Sequence, residues 1–351
     1  TTKQIIVNKA DPNINWIVDS LTTVDRQVKV AESDKNIDIL YEIVGNGAQV
    51  TDNGTTISVT EIGTFTIKAY YSGNNNYNTA EKEFTSTIGT IRFDNNEGKG
   101  DKYWNNPNNW LPVSNLNKQR NVVPSAMVNA VIVAEAKMST DANYGYNEIN
   151  DLTIEANGKL TISDTNVLKA NKITNENADK LILKASANGN ATLIYADGTP
   201  KATVEMYSKA KQEDKPEWQY MGVAVNNATT NDFDGAWLLK WTEAKNTTGD
   251  PWSVAPLAAD TTLVPWAGYS ISQPTAKTYS LKGTLCKGNQ PNGDHIYKLT
   301  RTTRDGDTQD PDCGFNLLAN SYTAPIDIAK LDSSNFVGAE VEEIAKQHNE
   351  E

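Results

Sequence analysis

The chain has 351 residues, a net charge of −12 and a 38% share of hydrophobic residues. So acidic a chain repels phosphate backbones, which excludes nucleic acid as a partner. No run of about 18 apolar residues is present to form a membrane span. At roughly 100–200 residues per domain, two or three domains are expected. The first residue is Thr and no leader segment is visible, so the chain reads as a mature or trimmed fragment.

Residues 1–90 read as short strands divided by turns. Gln4-Ile5-Ile6-Val7, residues 37–43, Thr56-Ile57-Ser58-Val59, residues 64–70 and residues 82–88 are rich in Val, Ile, Thr and Tyr, as strands are. Gly45-Asn46-Gly47 and Asp52-Asn53-Gly54 supply turns that tolerate positive φ. About seven strands at this spacing predict an immunoglobulin-type β-sandwich. The segment resembles the bacterial immunoglobulin-like repeats of large surface proteins. The resemblance lies in Lys9-Ala10 followed by Pro12 and Trp16, in residues 63–69, and in Gly73-Asn74-Asn75-Asn76-Tyr77. It implies a spacer without catalytic residues.

Residues 91–207 open on the polar stretch 94–101, a linker or a loop, and continue into Tyr103-Trp104-Asn105-Asn106-Pro107-Asn108-Asn109-Trp110. An internal repeat follows. Leu152-Thr153-Ile154, Asn157-Gly158 and Leu160-Thr161-Ile162 make one unit; Leu181-Ile182-Leu183, Asn188-Gly189 and Leu193-Ile194 make another, so that the strand opening at Leu152 recurs at Leu181. Each unit buries little alone, so stacking covers the apolar rows, and a short parallel β-solenoid is expected; a second sandwich built of hairpins is the competing reading. The region resembles the solenoid portion of surface and secreted proteins from Bacteroidetes, through Trp104, Asn105, Pro107, Asn109 and Trp110 and then Pro124 and residues 128–133.

Residues 208–337 hold five of the eight tryptophans and strand candidates at 218–223, 236–241, 268–271, 279–285, 296–300 and 315–318. An antiparallel sandwich or jelly-roll-like domain is expected. The likeness to Bacteroidetes surface proteins continues in Trp266-Ala267-Gly268-Tyr269, in residues 281–285, and in residues 314–322, which match a Gly-Trp-Asn-Leu-x-Gly-Asn-Pro-Tyr signature except for Phe315, Ala319 and Ser321. Residues 338–351 form an acidic tail, either a short helix or without structure. The expected fold class is therefore all-β throughout.

Three sets of residues could carry function. Trp237, Trp241, Trp252 and Trp266 lie among Gly, Pro and Asn-rich loops, where exposed rings would stack on sugars; the competing reading is core packing. Trp237 and Trp241, four apart, would share one face of a strand. Asp305, Asp307, Asp310 and Asp312 could surround a Ca²⁺ ion, which takes six to eight oxygens, or could form a solvated loop; residues 94–101 are a weaker version. Cys286 and Cys313 are expected to form a disulfide in an oxidising exterior, with two separate buried thiols as the alternative. His295 and His348 read as surface residues, so Zn binding and His-based catalysis are not expected.

These readings predict an extracellular or cell-surface protein without catalytic residues, an adhesin-like molecule that presents a module for a glycan or a host or matrix protein. The alternatives are a polysaccharide-active enzyme on a solenoid scaffold, which needs a facing carboxylate pair, and a purely architectural piece of a larger surface protein.

Overall fold

A computed structural model of the chain describes residues 8–15, 27–29, 31–44, 56–58, 63–112, 124–126, 128–139, 146–210, 217–243, 252–287, 296–301 and 314–330. The fold is all-β, with a β-solenoid of about three turns and several sheets.

In the N-terminal part, strands Leu40–Val44, Gly63–Tyr71 and Ala80–Phe93 pair antiparallel in that order. Residues alternate between core and surface, Ile67 and Ala69 inward, Lys68 and Tyr70 outward, the period of two that a one-sided sheet requires. Two shorter antiparallel pairs accompany them, Ile14–Asn15 with Glu32–Ser33 and Gln27–Lys29 with Thr56–Ser58. The Gly73–Tyr77 motif is a turn. Gly73 takes a φ of +81° and the Asn74 side-chain oxygen accepts from the Asn76 and Tyr77 amides at 2.8 Å.

Strand Ala80–Phe93 does not stop where the first segment was expected to end. Residues 80–88 pair antiparallel with Gly63–Tyr71, and residues 89–93 continue in parallel with Val128–Ile132. The boundary drawn at 90/91 thus lies inside one strand. Its residues are strand-formers on both sides of Gly89, so composition carries no mark of the change of partner.

The solenoid is two parallel sheets facing each other. One contains Val128–Ile132, Tyr146–Ile154, Val167–Thr174 and Thr192–Asp197; the other contains Glu135–Met138, Lys159–Ile162, Leu181–Leu183 and Lys201–Ser208. Apolar side chains stack along the axis. Ile91, Ala130, Leu152 and Ile173 form one buried ladder, and Ala136, Leu160 and Leu181 form the facing one. The expected solenoid is present, but its repeat is shorter than the step from Leu152 to Leu181. Leu152 lies in register with Ile173, and Leu160 with Leu181. Matching Leu152 to Leu181 set a strand of one sheet on a strand of the other. Both sheets carry the same alternation of apolar and polar residues, so a pattern match cannot tell them apart.

Two kinds of residue make the corners. Gly158 and Gly198 sit where the chain turns against the coil before it; a Cβ on either would overlap the carbonyl oxygen of Ile132 or Ile173. Buried asparagines supply donors where the backbone leaves the ladder: Asn175 Nδ2 donates to the carbonyls of Asn177 (2.8 Å) and Lys201 (2.6 Å). Such groups must be satisfied once removed from water.

The tryptophan-rich entry motif closes the first end of the stack. The stretch 94–101 is a loop, with Asn95, Asn96 and Glu97 in the left-handed region. Asn106 caps the short 3₁₀ turn Pro107–Asn109, and Trp110–Pro112 pairs antiparallel with residues 91–93. The fully buried Trp110 meets Phe93 and Trp104 edge-on at 5.0 and 4.9 Å, and its Nε1 donates to the Trp104 carbonyl at 2.7 Å. Burial works against ionised Asp101, but hydrogen bonds from Asn109, Tyr103 and Asn106 outweigh it and hold the carboxyl below the usual range.

At the other end, strand Lys277–Thr284 lies antiparallel on Lys201–Ser208 along its whole length. A three-stranded antiparallel sheet follows, with Tyr269–Ser272 between Gln219–Met221 and Trp237–Lys240. One apolar core runs from Ile91 in the first coil to Leu285. The acidic tail, residues 338–351, lies outside the described residues.

Candidate ligand-binding face

The three-stranded sheet has two unlike faces, set by its register. Met221, Tyr269, Ile271 and Leu238 point into the core and are buried. The other face carries Tyr220, Ser270 and Leu239 in one row and Ser272 and Trp237 in another. Ser270 and Ser272 in the central strand are buried, whereas Tyr220 is 61% and Trp237 48% exposed. Large rings on the flanking strands thus stand above a floor of small side chains.

The connection between strands Trp237–Lys240 and Tyr269–Ser272 adds to this face. Trp252 bridges to Trp241, just beyond the end of strand Trp237–Lys240, with the two rings edge-on at 5.2 Å. The Trp252 ring reaches back across the sheet to stack on Tyr220, centroids 5.9 Å apart and planes within 22°. Trp241 is fixed by a hydrogen bond from its Nε1 to the Phe315 carbonyl at 2.8 Å. Trp241 and Trp252 are both half-buried. Trp237 and Trp241 were expected to share one face of a strand; Trp237 lies in the strand and Trp241 follows its end, in an isolated bridge with Trp252.

Trp266 does not join this surface. It is 8% exposed, at a φ of +71°, with its ring edge-on to Tyr322 at 4.5 Å. Expected as a sugar-stacking ring, it is instead closed off by the segment 314–323, which straps the sheet to the last coil. Gly268 N donates to Leu317 O at 2.9 Å, and Ala319 N to Trp266 O at 3.0 Å. Trp266 N donates to Ser321 Oγ at 2.7 Å, and Leu193 N to Thr323 O at 3.0 Å. One departure from the family signature acquires a local reason here: a proline at 321 would lack the hydroxyl that accepts from Trp266 N.

Between strand Gln219–Met221 and the strap runs a groove of about 260 Å³, lined by Tyr220, Met221, Gly222, Gly268, Leu317, Leu318, Ala319 and Asn320. Tyr220 belongs to both groove and ring stack. Sequence reasoning placed Tyr220 in a strand but not in the site. Its alternation with Gln219 and Met221, and the two glycines where backbones approach closely, were the signals available.

The other expected sites fall elsewhere. Asp305, Asp307, Asp310 and Asp312 lie outside the described residues, as do His295, His348 and Cys313. Among the described residues no group of three His, Cys, Asp or Glu could hold a metal ion. Cys286 is a buried free thiol, 3.8 Å from both the Val223 carbonyl and Asn226 Oδ1. Burial pushes this thiol up to about 12, and only the thiolate attacks. At pH 8 a thiol reagent is therefore expected to leave Cys286 unmodified in the native chain and to label it rapidly in urea without reduction. Peptide mass spectrometry reads the result; labelling that appears only after reduction would instead establish the disulfide.

A family model described as a domain of unknown function, DUF8693, matches residues 95–347. The minor fimbrium subunit Mfa5 of Porphyromonas gingivalis is 35% identical over 200 residues, which cover 52% of this chain and 15% of that subunit. No solved structure matches the chain.

Proposed function

Since the chain belongs to the DUF8693 family, whose function has no description to lend, we propose from its own residues that it is a non-catalytic module of a cell-surface protein that holds an aromatic binding face for a glycan. The likeness to a fimbrium subunit supports a place at the surface and assembly with other surface components. The continuous strand Ala80–Phe93 and the shared core support a stiff body that carries the face at one end.

The observation that carries the reading is the cluster of Tyr220, Trp241 and Trp252, with Trp237 exposed on the same outward side of a sheet whose inward side serves the core. Rings of this size are ordinarily buried, because they contribute most to a core. Here Tyr220 and Trp237 stand half-open while small serines are covered beneath. The apolar face of a sugar ring packs on such rings, and its hydroxyls pair with the backbone and amides around them.

A glycan array with the purified chain tests this. Wild type is expected to retain a discrete set of glycans, and Trp252→Ala to lose about tenfold in affinity, the effect of removing one ring worth about 0.5–1.5 kcal/mol beyond its buried area. The far-UV spectrum should be unchanged. Equal binding by Trp252→Ala, or no binding by wild type to any glycan, overturns the reading.

A further inference from the structure

We propose that the ligand of this face is an uncharged sugar, one pyranose ring of which seats in the groove between strand Gln219–Met221 and residues 317–320. The inference rests on the glycan reading above and narrows it to a ligand class.

The first argument is size. At about 260 Å³ the groove is smaller than the ~300–1,000 Å³ of sites that enclose drug-sized molecules. It holds a single ring, with the remainder of a chain lying over Trp252 and Trp241. The walls touch at two points: a Cβ on Gly222 would meet Ala319, and one on Gly268 would meet Leu317.

The second argument is charge. Among the described residues no Lys, Arg, Asp or Glu lines the groove. A carboxylate or sulfate entering it would give up part of its hydration with no cation among the described lining residues to receive it. The chain's net charge of −12 adds long-range repulsion of anions.

The third argument is the supply of hydrogen bonds. Gly268 N and Ala319 N bind the strap through Leu317 O and Trp266 O. In antiparallel pairing successive peptide groups point to opposite sides, so the N–H and C=O of Leu318 face away from residues 266–268. Neither has a hydrogen-bond partner among the described residues, and Leu318 is 42% exposed on the groove wall. One neutral donor and one neutral acceptor beside an aromatic stack match adjacent hydroxyls on a ring that packs its C–H face against Tyr220.

The test titrates the purified chain, at low and physiological salt, with neutral oligosaccharides and with their sialylated or sulfated counterparts. Neutral forms are expected to bind at least tenfold more tightly at both salts. Leu318→Pro removes the N–H and should weaken neutral binding about tenfold. Leu318→Arg places a cation in the groove and should bring the acidic forms up to the neutral ones. Equal or tighter binding of acidic forms by wild type overturns the neutral class while leaving glycan binding intact. If no sugar binds and the chain instead captures extended peptides in a way that Leu318→Pro abolishes, both this inference and the glycan reading fail.

Discussion

Trp110→Ala is expected to cost about 3–5 kcal/mol, the range for truncating a large buried aromatic. The side chain is fully buried and packs edge-on against both Phe93 and Trp104. Its loss opens a cavity at the end of the stack, where the first coil has no further coil to cover it. It also strips the Trp104 carbonyl of its 2.7 Å donor in a site that water cannot readily enter. Urea unfolding followed by tryptophan fluorescence measures the change, and Trp110→Phe separates the two contributions by restoring most of the volume without the N–H. A loss below about 1 kcal/mol for the alanine variant would mean that the Trp-Asn-Asn-Pro-Asn-Asn-Trp segment decorates the solenoid rather than closing it.

Gly198→Ala should be comparably damaging although it adds a single methyl. Gly198 holds a φ of +100°, which L side chains rarely adopt, at a cost of about 1–3 kcal/mol. The new Cβ would also overlap the Ile173 carbonyl oxygen and come within 3.2 Å of its carbonyl carbon. Ile173 is paired in register with Leu152 and buried in the ladder, so it cannot withdraw. Overpacking adds about 1–3 kcal/mol. A summed loss of about 2–6 kcal/mol is expected by the same unfolding measurement. The comparison is Gly235→Ala, also at positive φ but with open space where the Cβ would stand; it should show the backbone cost alone. Equal losses at the two positions would refute the steric part of the argument.

Much of this architecture is legible in the residues themselves. Alternation of apolar and polar side chains, with Val, Ile and Thr between Gly and Asn turns, is a local property, and it determined that the chain is all-β; for residues 91–207 it left stacked coils and a hairpin sandwich both open, and the parallel pairing decides for coils. The Asn157-Gly158 turn and the tryptophan entry were equally visible, whereas the corner at Gly198 was not, since contact with Ile173 of the preceding coil sets it. The choice of partner was not. Leu152 and Leu160 open strands of the same pattern, and only the stacked structure decides that each pairs within its own sheet, Leu152 with Ile173 and Leu160 with Leu181.

The same holds for the binding face. Composition placed five tryptophans in the third segment but could not rank them. Trp237 and Trp266 have similar neighbours in sequence, yet one stands open and the other lies under the strap from residues 314–323. Burial of a side chain depends on what packs against it, here the ring of the strap residue Tyr322, far along the chain from Trp266. Tyr220 and Trp252 meet for the same reason, through an intervening strand that neither residue's local sequence specifies. Local chemistry therefore determined which side chains could stack on a ligand, and tertiary packing alone decided which of them face solvent together.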